Sequence, residues 1–238
     1  MPGRHLQVAG VDIVWEPHLT FIGHVFDFTG NCCAAIHYRT AQARKAYHRW
    51  KPLLLSKWLS VKRRVALGSR AVFASLLWLA ETWIVIKVQC SKMESWGARL
   101  LAQIARVRRG LTEDIGPFWR RMHRTGHKWM RDLSCGISVR RRTQFHRFAG
   151  HIARAFDSRV RQVMCTRCLA WWRYHQTRNK SERYGLHPKP FYPRRWEMQL
   201  VEYYGEAETN HNDARVGWML KAESREQWRS EEKSFALL

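Results

Sequence analysis

Almost all of the positive charge of this chain lies ahead of Trp196, and any fold has to accommodate it. The chain holds 42 Lys and Arg against 19 Asp and Glu. The stretch from Trp196 onward takes five of those bases and nine of the acids, which leaves 37 bases against 10 acids in residues 1–195. A folded surface that one-sided repels itself unless an anion neutralises it. A nucleic-acid backbone is the favoured anion, since each phosphate neutralised by Lys or Arg releases condensed counterions and strengthens binding. Anionic membrane is the main competitor. With 45% hydrophobic residues, thirteen Trp among them, the 238 residues can still bury a core, as one large or two small domains. Most of these tryptophans read as core packing rather than stacking platforms.

The opening reads as extended structure. Val8–Val14 and Leu19–Phe28 are rich in β-branched and aromatic residues, Glu16-Pro17-His18 separates them, and Gly30-Asn31 ends the second run with turn chemistry. Beyond Asn31 the apolar period becomes helical. A first helix spans Ala35–Lys51, with Ile36, Ala43, Tyr47 and Trp50 on one face, Arg39, Arg44, Lys45 and Arg49 around the rest, and Pro52 as its stop. A second starts at Ser60, whose side chain can cap it, and runs into Leu76–Leu79. A third covers Val88–Arg109 on Met93, Trp96, Leu100, Ile104 and Val107, and ends at Gly110. Thr112 caps a fourth, with Pro117 in its first turn and its end near Leu133. Cys135-Gly136 marks a break. Val139–Ala155 and Ser158–Asn179 follow as helices, then a loop with Pro188, Pro190 and Pro193, and a short helix at Arg195–Tyr204. Trp218, Ala222 and Trp228 lie in an acidic tail able to fold back on the basic body.

The resulting fold class is mainly α: a small N-terminal β-hairpin unit, a bundle of long basic helices and a loosely attached helical tail. The expected divisions are 1–31, 32–134, 135–183, a Pro-containing linker at 184–194, and 195–238. The apolar run Ala71–Val88 approaches spanning length, but Glu81 lies mid-run and a central carboxylate is costly in lipid. A buried helix is the better reading of it. Met1–Gly10 lacks the apolar core of a secretory signal, so free thiols are the default for the six cysteines. Cys165 and Cys168, followed by His175, have metal-ligand spacing. They lack a second properly spaced pair, and arginines surround them, so no metal is expected.

Catalytic signatures are missing from the sequence. The six aspartates are scattered and never paired on a short hairpin, as a two-metal site requires. There is no phosphate-cradling Gly-rich loop with its Lys and no Gly-x-Ser-x-Gly. His123 and His127 stand four residues apart without a Glu between them, among Arg120, Arg121 and Arg124, and read as further donors on a basic helix.

The order of features resembles the region downstream of the catalytic palm in reverse transcriptases of non-LTR (LINE-type) retrotransposons. Phe21-Ile22-Gly23-His24, within Leu19–Gly30, looks like the strand–Gly–strand primer grip, with Ile where Leu is commoner. His37-Tyr-Arg39 with Ala43-Arg44-Lys45-Ala46-Tyr47 resembles the next helix, and Lys62-Arg63-Arg64 through Leu76-Leu77-Trp78 to Glu81-Thr-Trp83 the one after it. Met93-Glu-Ser-Trp96, Arg99 and the cluster Arg106, Arg108, Arg109 match a third. Farther on, Phe148-Ala-Gly150-His151-Ile-Ala-Arg154, Arg194-Arg195-Trp196 and Ala222-Glu-Ser-Arg225-Glu-Gln-Trp228 are similar to tail motifs of the family, with Ser224 where Asp is commoner.

The resemblance implies a primer grip at residues 21–24, a helical thumb from His37 to Arg109, and a template- or target-binding tail. The thumb would hold a template–primer duplex by its phosphates through Arg39, Arg44, Lys45, Arg49, Lys62, Arg63, Arg64, Arg106, Arg108 and Arg109. RNA–DNA hybrid is the implied partner, with the palm as a second, and the nucleus is the implied location. The catalytic aspartates and their Mg would belong to that palm, so this chain itself would be a binding fragment without an active site. Two alternatives stand beside it. One is a free-standing basic helical DNA-binding protein, which would need a compact helix-turn-helix with a short recognition helix. The other is a membrane-associated protein using residues 71–88.

Overall fold

The computed structural model describes residues 6–8, 11–13, 18–27, 32–83, 85–155, 199–200, 202–204 and 217–238. The described chain is mainly α. It divides into two compact units, Met1–Leu79 with Val85–Ser134, and Ala80–Ile84 with Cys135–Leu238.

The first unit opens with two short hairpins rather than one. β1 (Leu6–Val8) pairs antiparallel with β2 (Val11–Ile13), and β3 (His18–Phe21) with β4 (His24–Asp27). In the second hairpin Phe21 and His24 are register partners across a two-residue turn, Ile22-Gly23, in which both residues have positive φ, 49° and 68°. That geometry matches the right-handed twist of the strands, and Gly23 adopts it without the Cβ strain that Ile22 bears.

Four helices follow: α1 (Cys33–Leu54), α2 (Val61–Leu76), α3 (Lys87–Ile104) and α4 (Ile115–Asp132). Pro52 does not stop α1. It removes a backbone bond and crowds the His48 carbonyl, a cost of about 3 kcal/mol in a helix interior. The extra residues carry Leu54 into full burial, a gain of roughly 1.5–3 kcal/mol. The buried stripe of α1 is Ala35, Arg39, Ala43 and Leu54, whereas Trp50 faces solvent. Ser60 caps α2 as its sequence position predicts, its Oγ accepting from the Arg63 N–H at 3.4 Å. At the start of α3, Gln89 Oε1 accepts from both the Ile86 N–H and the Cys32 thiol, and Gln89 Nε2 donates to Cys33 Sγ. One side chain thus fastens the first turn of α3 to the first turn of α1.

Three expectations fail here. The run Ala71–Val88 is not one helix: α2 ends at Leu76, Leu79 takes φ 59°, Ala80–Thr82 form a single 3-10 turn, and Ile86 is exposed before α3 begins. The third helix stops at Ile104, five residues short of Arg109, because Arg106 turns left-handed at φ 61°. Asp114, not Thr112, is the N-cap residue of α4. Among the described residues no helix is long and apolar enough to cross a membrane.

The second unit centres on α5 (Ile137–Arg154) and the tail helices α6 (Gly217–Glu223) and α7 (Arg225–Ala236), with helical residues at 199–200 and 202–204. Phe145, Ala149, Ala153, Leu200, Trp218, Met219, Ala222, Trp228 and Phe235 form its core. The acidic tail therefore packs on α5 by apolar burial. Arg147 adds a bidentate pair to Glu232, both N···O distances 2.7 Å. Gly150 lets α7 approach: a Cβ there would stand 2.3 Å from Trp228 Nε1. Arg154 Nη1 donates to the Ala222 carbonyl at 2.6 Å. The family-like segments around Gly150 and around Ala222–Trp228 thus meet in one core. The expected helix Ser158–Asn179, the Pro-containing linker, and Cys165, Cys168 and His175 lie outside the described residues.

Candidate nucleic-acid interface

Between Cys33 and Asp132 the sequence sets 21 Lys and Arg against five Asp and Glu. Neither α1 nor α2 contains an acid. Of the ten basic residues that the sequence nominates for phosphate contact, seven are exposed: Arg44, Lys45 and Arg49 on α1, Lys62 and Arg63 on α2, and Arg108 and Arg109 beyond α3. None of the seven forms an ion pair among the described residues. Arg109 Nε donates to the Glu113 carbonyl at 2.7 Å and keeps its terminal nitrogens.

The other three are buried or engaged within the unit. Arg39 is 8% exposed, with its guanidinium over the rings of Trp78 and Tyr38 at 5.9 and 5.7 Å. It lies against the hairpin tip, 3.4 Å from where a Cβ on Gly23 would stand. Burial lowers its pKa, and Tyr38 opposes that shift. Arg64 is 5% exposed. Arg106 donates to the Leu55 carbonyl and so ties the end of α3 to the end of α1. Periodicity signals this for Arg39, which lies at i+4 from Ala35 and i−4 from Ala43 on the buried stripe. Of the four primer-grip-like residues, Ile22 and Gly23 form the hairpin tip, with Ile22 67% exposed, and Phe21 and His24 flank it in register.

The structure also assembles a cationic groove that no motif announced. Ser95 and Arg99 of α3 and Pro117, Trp119, Arg120, His123 and Arg124 of α4 line an open cavity of about 970 Å³. Helical spacing explains the lining, since Arg120 and Arg124 are i, i+4 neighbours, as are Ser95 and Arg99. A polar chain links α3 to α4: Ser95 Oγ to His123 Nε2, and His123 Nε2 to His127 Nε2, each at 3.3 Å. Burial first, then His123 and Arg131, hold the His127 imidazole below its usual pKa against the pull of Glu94. The charge of the lining sits on Arg99, Arg120 and Arg124. Arg121 points elsewhere, engaged with Glu113 at 2.5 and 3.0 Å and with the Arg108 carbonyl at 2.8 Å. The backbones of α3 and α4 come close at Gly126, where a Cβ would lie 2.0 Å from the Ala98 carbonyl oxygen.

The second unit carries a titratable cluster of a different kind. His146 on α5 is fully buried, stacked on Trp228 at 4.0 Å and 9°, with Nε2 2.6 Å from the Tyr204 hydroxyl. Trp228 Nε1 donates to the His146 carbonyl at 2.9 Å. His146 and Trp228 are buried within the core of this unit, and Tyr204 is half-buried at its edge. Among the described residues no group of three or more His, Cys, Asp or Glu could hold a metal ion. No family model matches the chain, and no curated protein or solved structure is found similar to it.

Proposed function

We propose that this chain binds nucleic acid through its phosphate backbone, in the manner of the thumb of a non-LTR reverse transcriptase, and that catalysis belongs to a palm outside it. The observation that supports this most directly is the seven exposed cations on the acid-poor surface of α1, α2 and the segment after α3. Cations without acidic partners stay available for phosphates, and a backbone grip needs positive helix faces without base-reading groups. An RNA–DNA hybrid, recognised by shape and backbone, suits such a surface.

The test is binding of the purified chain to RNA–DNA hybrid, duplex DNA and single strands across a salt series. Tight binding that falls steeply with salt and favours the hybrid is the expected result. The double reversals Arg44→Glu with Lys45→Glu, and Lys62→Glu with Arg63→Glu, should each weaken every sequence alike. Each should also lower the log–log salt slope by about one to two units, roughly 0.9 for every phosphate no longer neutralised. Arg64 is left out of these variants because it is buried, and its reversal would damage the fold. A loss confined to one sequence, or no binding at low salt by a chain shown to be folded, would overturn the reading.

A further inference from the structure

A backbone grip leaves the groove between α3 and α4 without a role. Trp119 is 46% exposed at the groove between α3 and α4, although an indole is costly to leave in water. Phe118 lies beside it, ring centroids 5.4 Å apart and planes at 52°. Phe118 also takes the Arg121 guanidinium over its own ring at 5.8 Å, so the Trp119 side chain is flanked by a fixed neighbour. Three exposed guanidinium groups, Arg99, Arg120 and Arg124, share the groove with this ring. Arg99 spends only its Nε, on the Ser95 carbonyl of its own helix. Among the described residues the lining contains no carboxylate.

An aromatic platform among cations in an open channel is the chemistry that holds single-stranded nucleic acid, because every base has a π-face and every linkage a charge. Bases inside a duplex are stacked on one another and cannot present a face to a side chain. We propose that the α3–α4 groove receives a single-stranded segment of nucleic acid, one base stacked on Trp119 and the adjoining phosphates held by Arg99, Arg120 and Arg124. This rests on the backbone-binding reading and adds to it a place for the unpaired strand next to a gripped duplex.

The experiment is anisotropy titration of the full chain with a labelled twelve-nucleotide oligo(dT), with a twelve-base-pair duplex, and with polyglutamate as an anionic peptide. Trp119→Ala should weaken oligo(dT) binding about tenfold and leave the duplex unchanged, while Trp119→Phe stays within about threefold of the native chain. Arg120→Gln with Arg124→Gln should weaken oligo(dT) more than duplex. Circular dichroism of each variant checks that the fold is intact. Equal losses on both nucleic acids, no loss on oligo(dT), or polyglutamate bound with the same dependence on Trp119 would overturn the proposal. If the native chain binds duplex with a steep salt slope but Trp119→Ala changes nothing, only the groove assignment fails. If the native chain binds neither nucleic acid, the backbone reading falls and the groove with it.

Discussion

Gly126→Ala should unfold the first unit more readily than any other single-methyl change in α4. A helix interior normally gains from this substitution, by up to about 1 kcal/mol. At Gly126 the new methyl carbon would sit 2.0 Å from the Ala98 carbonyl oxygen and 2.4 Å from its carbon. These are backbone atoms, which no rotamer change can move aside, so α3 and α4 must separate. Overpacking of this kind costs about 3 kcal/mol or more, and the thermal midpoint should drop by roughly 10 °C. Gly116 in the first turn of the same helix is the internal control. Nothing lies within 4 Å of a Cβ there, and Gly116→Ala should be neutral or stabilising. Thermal melts of the two variants decide the matter, and equal midpoints would show that the helices do not cross where described. The same displacement spreads the walls that carry Arg99 and Arg120, so oligo(dT) affinity should fall with Gly126→Ala even below its melting temperature.

That crossing also marks where sequence reasoning reaches its limit. Met122, Gly126 and Met130 recur at four-residue spacing and are the buried residues of α4, so the inward face was legible from period alone. Which helix that face meets was not. The groove depends on Ser95 and Arg99 coming opposite Pro117–Arg124, a fact of tertiary register that neither helix encodes by itself. A glycine inside an otherwise strong helix, at a cost in propensity, was the available signal of close approach. The Ser60 cap, the change from extended to helical period, and the break before α5 follow from local chemistry and were readable.

Three of the misreadings share one cause, which is that burial overrides local preference. Pro52 reads as a stop, and Leu54 draws the helix past it. Arg39 reads as surface charge, yet it lies on the apolar stripe and finds aromatic rings there. Ala71–Val88 reads as one apolar helix, but its start and its middle serve different units: Val72, Phe73 and Leu76 are buried in α2, while the Ala80–Thr82 turn packs with α5. Hydropathy alone does not distinguish a continuous core helix from two short segments entering two cores.

Acidification should destabilise the second unit through His146. Its ring is fully buried, its Nε2 is held by Tyr204, and its Nδ1 has no hydrogen-bond partner among the described residues. Burial is the main cause that pushes its pKa down to about 4, with Arg147 and Arg154 adding to the shift and Glu232 opposing it. An unfolded chain takes up this proton near pH 6.5, whereas the folded one resists until about pH 4. The unfolded state therefore binds more protons throughout that window. Stability is full above about pH 6.5, declines as the pH falls towards 4, and levels off below it. The loss attributable to His146 is roughly 2 kcal/mol at pH 5 and about 3 kcal/mol at its limit. Glu232, whose carboxyl Arg147 holds below its usual range, loses its contribution only at lower pH, so the two effects separate. Urea unfolding at pH 7 and pH 5 tests this, followed by hydrogen exchange in peptides of α5 and α7 to isolate the second unit. His146→Phe can keep the stack on Trp228 while removing the titrating ring. It should begin less stable at pH 7, having lost the Tyr204 bond, and then lose little more at pH 5. If that variant loses as much as the native chain over the same interval, another group carries the acid sensitivity.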